Sequence, residues 1–446
     1  MDHYHFVGIL GYGMKALASI YLEKGVTVTG TDASYDDKNQ PFKQHTLIMK
    51  DASDSATHCD ILIYSTAIKS DHPDIINAKK NNIQCIHRSE LIQKLFDEHQ
   101  YNIAVTGTHG KTTTSAIMAY IFKFAGLNPT FVIGGEPEEI NQSEFGDSKY
   151  LIVESDESDG SCLNTFPSHI LITNFESDHL EMHDNDFNVL KSTLLTFSQR
   201  AQVIFAHYDD IGVQTLLQNI SGQIVTYGFD PKNDYQIVDI QSHHDSMSIY
   251  FKQKQHQIDY VIHTPLHGKH NALNLVGAFS VGAYFNIDIN VMIESLSKFN
   301  GVKRRLQTLG DTQINHHLVT VIDDYAHHPT EIQATIDTMM SRDDDLIFIC
   351  QPHRAARVQN YFDDYVRVLQ SIPRLILLDT YEPGLHQDAI NPSKKLFDSL
   401  VKKNNTIIYC SLNECIGVLE SCIDKPLTAV FMGAGDITKI AHRMVK

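Results

Sequence analysis

The 446-residue sequence has no apolar run approaching the roughly 20 residues that a membrane-spanning helix needs. Its first residues, MDHYHFVGIL, carry no basic stretch ahead of an apolar one, so no signal peptide is expected. The expectation is a soluble, cytoplasmic protein with no membrane partner. Basic residues are scarce, 36 Lys and Arg against 54 Asp and Glu, for a formal net charge of −18. That balance speaks against a nucleic-acid partner, which needs a basic footprint, but leaves room for a local anion site. The seven cysteines form no CxxC pair and are irregularly spaced, which indicates neither a disulfide framework nor a zinc ribbon. With 24 glycines and 13 prolines the chain is too poor in both to be fibrous or of low complexity. No internal repeat is present, and nothing in the pattern sets an oligomeric state.

What is present is an alternation of short apolar strands and helices. His3–Val7 reads as a strand, followed by a glycine turn and a helix on which Leu17, Ala18, Tyr21 and Leu22 recur, with Gly25 placed to end it. Val26–Gly30 and Asp60–Tyr64 read as further strands, the latter running into Ser65. A second unit starts near 101 with strand Asn102–Thr106, a tight loop and helix Thr112–Phe124. Tyr150–Val153 and His169–Thr173 read as buried strands. From about 223 to 263 the alternation suggests an antiparallel ribbon. A third unit, from about 310, has strand ends at Val321-Ile322, Ile347–Cys350, Leu375–Leu378 and Ala429–Met432. This order predicts an α/β protein with mostly parallel sheets.

The strongest chemical signal is Gly107-Thr108-His109-Gly110-Lys111-Thr112-Thr113 between a strand and a helix. Glycines there let backbone N–H groups wrap a phosphate, the helix N-terminus adds its positive end, and Lys111 reaches the terminal phosphates. Thr112 is placed to ligate Mg²⁺. The loop is shorter than the usual phosphate loop, since Val105 stands where a first glycine would be. A weaker cluster, Gly11-x-Gly13-x-x-Ala16 with Asp32 about 20 residues on, fits a diphosphate turn. Glu154 to Asp159 packs four carboxylates directly after a strand, where a metal–phosphate site belongs, and Asp178-His179 follows the next strand. Asn271 and Asn274 lie three apart at the start of a small-residue helix. Lys303-Arg304-Arg305 follows at the end of the second unit, and Asp323 to Pro329 and Gln351 to Arg357 place His and Arg beyond strands of the third. Arg354 and Arg357, three apart, suit a carboxylate clamp. A dehydrogenase would explain Gly11, Gly13 and Asp32 but leave Gly107–Thr113 idle. A P-loop switch would leave the third unit's His and Arg clusters idle.

In order along nearly the whole chain, "GTHGKTTT", "ESDESDGS", "TNFESDHLE", "GKHNALN", "GVKRRL", "DDYAHHPTE", "QPHR" and "GAGDITKIA" resemble the Mur ligases of peptidoglycan synthesis. One departure is Leu10, where a glycine is usual. The resemblance implies three α/β domains: Rossmann-like and UDP-sugar-binding (1–100), a P-loop ATPase domain (101–309), and Rossmann-like and amino-acid-binding (310–446). It implies ATP-dependent joining of L-alanine to the carboxylate of UDP-N-acetylmuramate through an acyl phosphate, with a murein tripeptide as the alternative amine. Lys111, Glu154 and His179 would be catalytic, with Thr112, Glu154 and His179 holding Mg²⁺. The loop 107–113, Asn271, Asn274, Arg305 and Asp324 would bind ATP. Gly11, Gly13, Asp32 and Ser65 would meet the UDP-sugar, and Tyr325, His327, His353, Arg354 and Arg357 the amino acid.

Overall fold

The computed structural model describes residues 2–36, 42, 46–50, 54–178, 186–342, 344–382, 391–402 and 406–445. Three sheets organise them. The first contains β1 (His3–Val7), β2 (Thr27–Thr31), β3 (Leu47–Met49), β4 (Ile61–Tyr64) and β5 (Gln84–His87), in the order β3-β2-β1-β4-β5 and all parallel. Helices α1 (Tyr12–Glu23), α2 (Pro73–Lys80) and α3 (Arg88–Glu98) serve it. Gly25 ends α1 as expected, with a φ of +84° that a residue with Cβ seldom adopts.

The second sheet contains β6 (Tyr101–Thr106), β7 (Thr130–Val132), β8 (Ser143–Glu144), β9 (Tyr150–Glu154), β10 (His169–Ile172), β11 (Val203–His207), β12 (Gln223–Gly228), β13 (Tyr235–Ser242), β14 (Met247–Gln253) and β15 (Ile258–Thr264). Its order is β15-β14-β13-β12-β11-β10-β6-β9-β7-β8. Here the ribbon expected from 223 needs correction. β12 pairs in parallel with β11 over Val203–His207 and, at Tyr227 and Gly228, in parallel with β13. Burial along β12 rises from its exposed start to buried Tyr227 and Gly228 rather than alternating, and its own residues do not separate a parallel neighbour from a hairpin one.

Helix α4 (Lys111–Phe124) leaves the end of β6, and its buried run Thr113–Ala119 packs into the domain interior. These two sheets belong to one compact unit, Met1–Ile240 with Ser248–Pro265 and Asn271–Asn300. The second unit takes Gln241–Met247, Leu266–His270 and Gly301–Lys446. It holds the third sheet: β16 (Gln307–Ile314), β17 (His317–Asp324), β18 (Leu346–Cys350), β19 (Leu375–Leu378), β20 (Ile407–Cys410) and β21 (Leu427–Met432), in the order β16-β17-β21-β18-β19-β20. Only the β16–β17 pair is antiparallel. Apolar clusters cover both faces of this sheet, with Phe348 and Val430 on one and Ile349 and Phe431 on the other, as doubly covered parallel strands require. The result is a three-sheet α/β protein. No helix among the described residues is long and apolar enough to cross a membrane.

Candidate active site

Chemistry gathers beyond the carboxyl ends of the strands, as in other open parallel sheets. At the first sheet the chain turns from β1 into α1. The amides of Gly8 and Ile9 donate to Thr31 O, and the amide of Leu10 donates to Asp32 Oδ2 at 2.9 Å. Leu10 is not among the residues with positive φ, so a side chain is tolerated where the resemblance led one to expect glycine. Asp32 Oδ1 accepts from the amide and hydroxyl of Ser34. Asp32 therefore braces the glycine turn as well as lining the cavity beside it, which has a volume of about 860 Å³. Gly11, Gly13 and Ser65 also line that cavity, with Tyr12 and Arg88. A Cβ on Gly13 would stand 3.0 Å from Arg88 Nη1, so the glycine makes room for a guanidinium that sequence reasoning had not singled out. Arg88 Nη2 lies 3.5 Å from Asp159 Oδ2, and the same oxygen accepts from Thr66 Oγ1 at 2.9 Å.

The phosphate loop is built at the end of β6. Gly107 and Gly110 have φ of +123° and +82°, and a Cβ on Gly107 would stand 2.4 Å from Thr173 Oγ1. A Cβ on Gly110 would meet Asn274 Oδ1 at 2.8 Å. Asn274 Nδ2 donates to Asn271 Oδ1 at 3.4 Å, so the expected pair does converge and borders the loop. Asn174, which the sequence reading passed over, clamps His109 from both sides: its Oδ1 accepts from the amide and its Nδ2 donates to the carbonyl. Thr108 Oγ1 donates to Glu176 O, and His109 Nε2 lies 2.9 Å from Glu176 Oε1. Thr113 is buried within α4.

Lys111 Nζ donates to Gly107 O (2.6 Å), Thr108 O (3.2 Å) and Glu157 Oε1 (3.3 Å), with Asp156 Oδ1 at 3.8 Å. Burial lowers the pKa of the amine, but Glu157, Asp156 and Glu154 outweigh it and hold the pKa above the ordinary lysine value, which favours the cation. Thr112 Oγ1 donates to Glu154 Oε1 at 2.9 Å, and the amide of Gly134 donates to Glu154 Oε2 at 2.6 Å. Burial raises the Glu154 carboxyl, against the pull of Lys111 and these two donors. Glu154, Asp156 and Arg88 share a smaller cavity of about 240 Å³. The acidic turn is thus no solvated loop: Glu154 serves Thr112, Glu157 serves Lys111 and Asp159 serves Arg88. No spacing rule says which carboxylate faces which partner. His179 lies outside the described residues.

In the second unit, Asp324 ends β17. It accepts from Thr335 Oγ1 at 2.6 Å and from the amide of Ala326, and burial pushes its carboxyl up to about 6. The guanidinium carbons of Arg304 and Arg305 lie 4.7 and 5.0 Å from the centre of the Tyr325 ring. Tyr325, His327, His353 and Tyr381 form a chain of rings, each 5.2–5.5 Å from the next. Burial holds His327 neutral, with a pKa lowered to about 4; its Nδ1 lies 2.9 Å from Tyr325 O and 3.2 Å from Glu331 Oε2. Arg357 is 6% exposed, with Nη1 3.5 Å from His353 Nδ1. Arg354 and Arg357, expected to act together as a clamp, do not lie on one helix. Arg354 precedes the helix Ala355–Asn360 with φ +63° and ψ +122°, held there by its amide bond to Tyr381 O. Sequence reasoning also missed Tyr381, which lies outside the quoted motifs, and gave no role to Glu331, the last residue of "DDYAHHPTE".

A phosphate loop on the second of three α/β sheets, a carboxylate facing its threonine, and a His/Arg cluster on the third fit an ATP-dependent ligase, and the chain belongs to the Mur ligase family. Residues 3–100 match the family's catalytic domain, 105–282 the Mur ligase middle domain, and 304–435 the Mur ligase glutamate ligase domain. The chain is 35% identical to the UDP-N-acetylmuramate–L-alanine ligase of Hydrogenovibrio crunogenus over 98% of its own length and 97% of that protein's. It is 34% identical to the ligase of the same name from Ruthia magnifica, covering 98% and 95%. Among solved structures it resembles the UDP-N-acetylmuramate–alanine ligase of Thermotoga maritima, with a TM-score of 0.83, 26% identity, and coverage of 100% and 98%.

Proposed function

We propose that this protein is an ATP-dependent ligase that joins L-alanine to the carboxylate of UDP-N-acetylmuramate, in the synthesis of peptidoglycan precursors in the cytoplasm. The observation that carries the reading is full-length similarity to L-alanine ligases, joined to the Lys111–Thr112–Glu154 arrangement at the phosphate loop. The murein tripeptide alternative has less support: the murein peptide ligase of Psychrobacter arcticus is 22% identical, which speaks for the fold alone.

In the first step the muramate carboxylate oxygen attacks the γ-phosphorus, the bond to the β-bridging oxygen breaks, and ADP leaves. In the second, the free amine of L-alanine attacks the acyl phosphate carbon, inorganic phosphate departs, and the amine loses a proton. Phosphoryl transfer of this kind depends mainly on positioning and charge neutralisation. Gly107 to Thr113 cradle the phosphates, Lys111 pairs with them, and Asn271 and Asn274 border the nucleotide; Arg305 and Asp324 are assigned to ATP on the family resemblance alone. Gly11, Gly13, Asp32 and Ser65 receive the UDP-sugar. Tyr325, His327, His353, Arg354 and Arg357 receive L-alanine, the arginines pairing with its carboxylate. We place the domains at 1–100, 101–309 and 310–446.

The hydroxyl of Thr112 and the carboxylate of Glu154 are hard oxygen donors held together, a set that suits Mg²⁺, with His179 as the third ligand. Bound there, Mg²⁺ would neutralise charge on the phosphoryl group in transit. The test is ADP release. The protein should release ADP over many turnovers only when UDP-N-acetylmuramate and L-alanine are both present, and should prefer L-alanine to glycine, L-serine and the tripeptide. ADP release without the UDP-sugar, or a preference for the tripeptide, overturns the assignment.

A further inference from the structure

An ammonium group has three N–H donors, and at Lys111 protein groups engage all three: Gly107 O, Thr108 O and Glu157. A nucleotide phosphate that takes Lys111 as its partner must displace one of them. The two carbonyls belong to the loop itself, and withdrawing either would undo the turn that Asn174 clamps. The Glu157 carboxylate is the exchangeable one, an anion giving way to an anion. Its position is well defined. Glu157 is 3% exposed, both its oxygens lie 3.3 Å from Nζ, and Oε2 also accepts from Thr106 Oγ1 at 3.4 Å, at the last residue of β6.

We propose that Glu157 is a positioning residue that acts through Lys111: it is the resident counter-ion of the phosphate loop, competes with the nucleotide for the ammonium group, and so sets nucleotide affinity. This rests on the nucleotide site assigned above and deepens it. A buried lysine needs an anion at all times, and Glu157 supplies it whenever a phosphate does not. Part of the Lys–phosphate attraction is therefore spent in displacing Glu157. Release of ADP is helped by the same amount, because the carboxylate takes Lys111 back.

The test is calorimetric titration of the full chain with ADP and with ATP, magnesium present. Glu157→Gln keeps the shape and the Thr106 contact but removes the competing charge. Exchanging a charge-assisted partner for a neutral one should tighten nucleotide binding by about tenfold. The KM values for the UDP-sugar and L-alanine should stay put. Glu157→Asp draws the charge back by one methylene and should shift affinity the same way by less, which preserves the readout if the Gln variant does not fold. In a Lys111→Met background the Glu157→Gln effect should vanish. A carboxylate that merely braced the turn would, on replacement, loosen the loop and weaken nucleotide binding. Weaker or unchanged affinity in Glu157→Gln, or tightening that persists without Lys111, overturns the proposal. If the wild-type protein binds neither nucleotide, it is the assignment of the site that fails.

Discussion

Gly134 and Glu154 meet so closely that only a glycine fits: the Gly134 amide donates to Glu154 Oε2 at 2.6 Å, and a Cβ at Gly134 would stand 2.5 Å from that same oxygen. Twenty residues apart in sequence, they fix one carboxylate against Thr112.

Gly134→Ala should therefore displace the Glu154 carboxylate without unfolding the chain, because the added methyl meets a side-chain end rather than backbone. The Mg²⁺ concentration needed for half-maximal rate should rise, and kcat fall, by about 10–100-fold, the usual effect of disturbing what orients a metal ligand. Magnesium titrations of the variant check this; a curve that overlays the wild type removes Gly134 from the site.

Lys111→Ala removes the charge at the loop. The rate of ADP formation should drop by about a hundred- to a thousandfold, the scale of losing one preorganised charge partner in the transition state. Circular dichroism and the melting temperature should report an intact fold. Near wild-type turnover would take the loop out of the mechanism.

Arg357→Ala should raise the KM for L-alanine by roughly ten- to a hundredfold, the loss of one charge-assisted contact of about 1.5–3 kcal/mol. The KM values for ATP and the UDP-sugar serve as controls. If the alanine KM holds while the ATP KM climbs, Arg357 belongs to the nucleotide.

Acid should destabilise the protein through neutral buried histidines. His169 sits among Tyr101, Tyr284 and Phe285, and burial lowers its pKa to about 4. The unfolded chain takes up a proton at this residue below about pH 6.5, whereas the folded chain resists until about 4. The stability due to His169 is thus present above about 6.5 and is lost as the pH falls toward 4. His169→Phe keeps the ring contacts and removes the titration. Between pH 7 and 5 it should lose about 1–2 kcal/mol less stability than the wild type. Urea midpoints at the two pH values decide; parallel losses in both proteins refute the assignment.

Those parts of the fold that local pattern governs were legible in the sequence. β1 and β6 are apolar runs bounded by glycine turns, and Gly25 and Gly110 mark helix ends, where a positive φ favours glycine. The parallel pairing of β12 was not legible, since the direction of a neighbouring strand is set by the chain's path and not by the residues of β12. Nor was the pairing within Glu154–Asp159. Which carboxylate reaches Thr112, Lys111 or Arg88 depends on where α4, α3 and the turn after β4 bring partners from 42 to 93 positions away. Gly134 and Asn174 were missed for the same reason, as their roles exist only once the sheet has closed. Leu10 shows the converse: a departure in sequence that the backbone absorbs, with its amide still bound to Asp32.

The contact of Asp159 with both Thr66 and Arg88 has a consequence for the order of events in catalysis. Arg88 borders the large cavity at the first glycine turn and the smaller one at Glu154, so one guanidinium faces two ligand-sized spaces. Whatever fills one space and reorients Arg88 changes the welcome offered in the other. Thermodynamic reciprocity then demands an equal effect in return. If the sugar nucleotide and ATP occupy the two spaces as proposed above and either one moves Arg88, they would not be independent guests: each would be a heterotropic effector of the other.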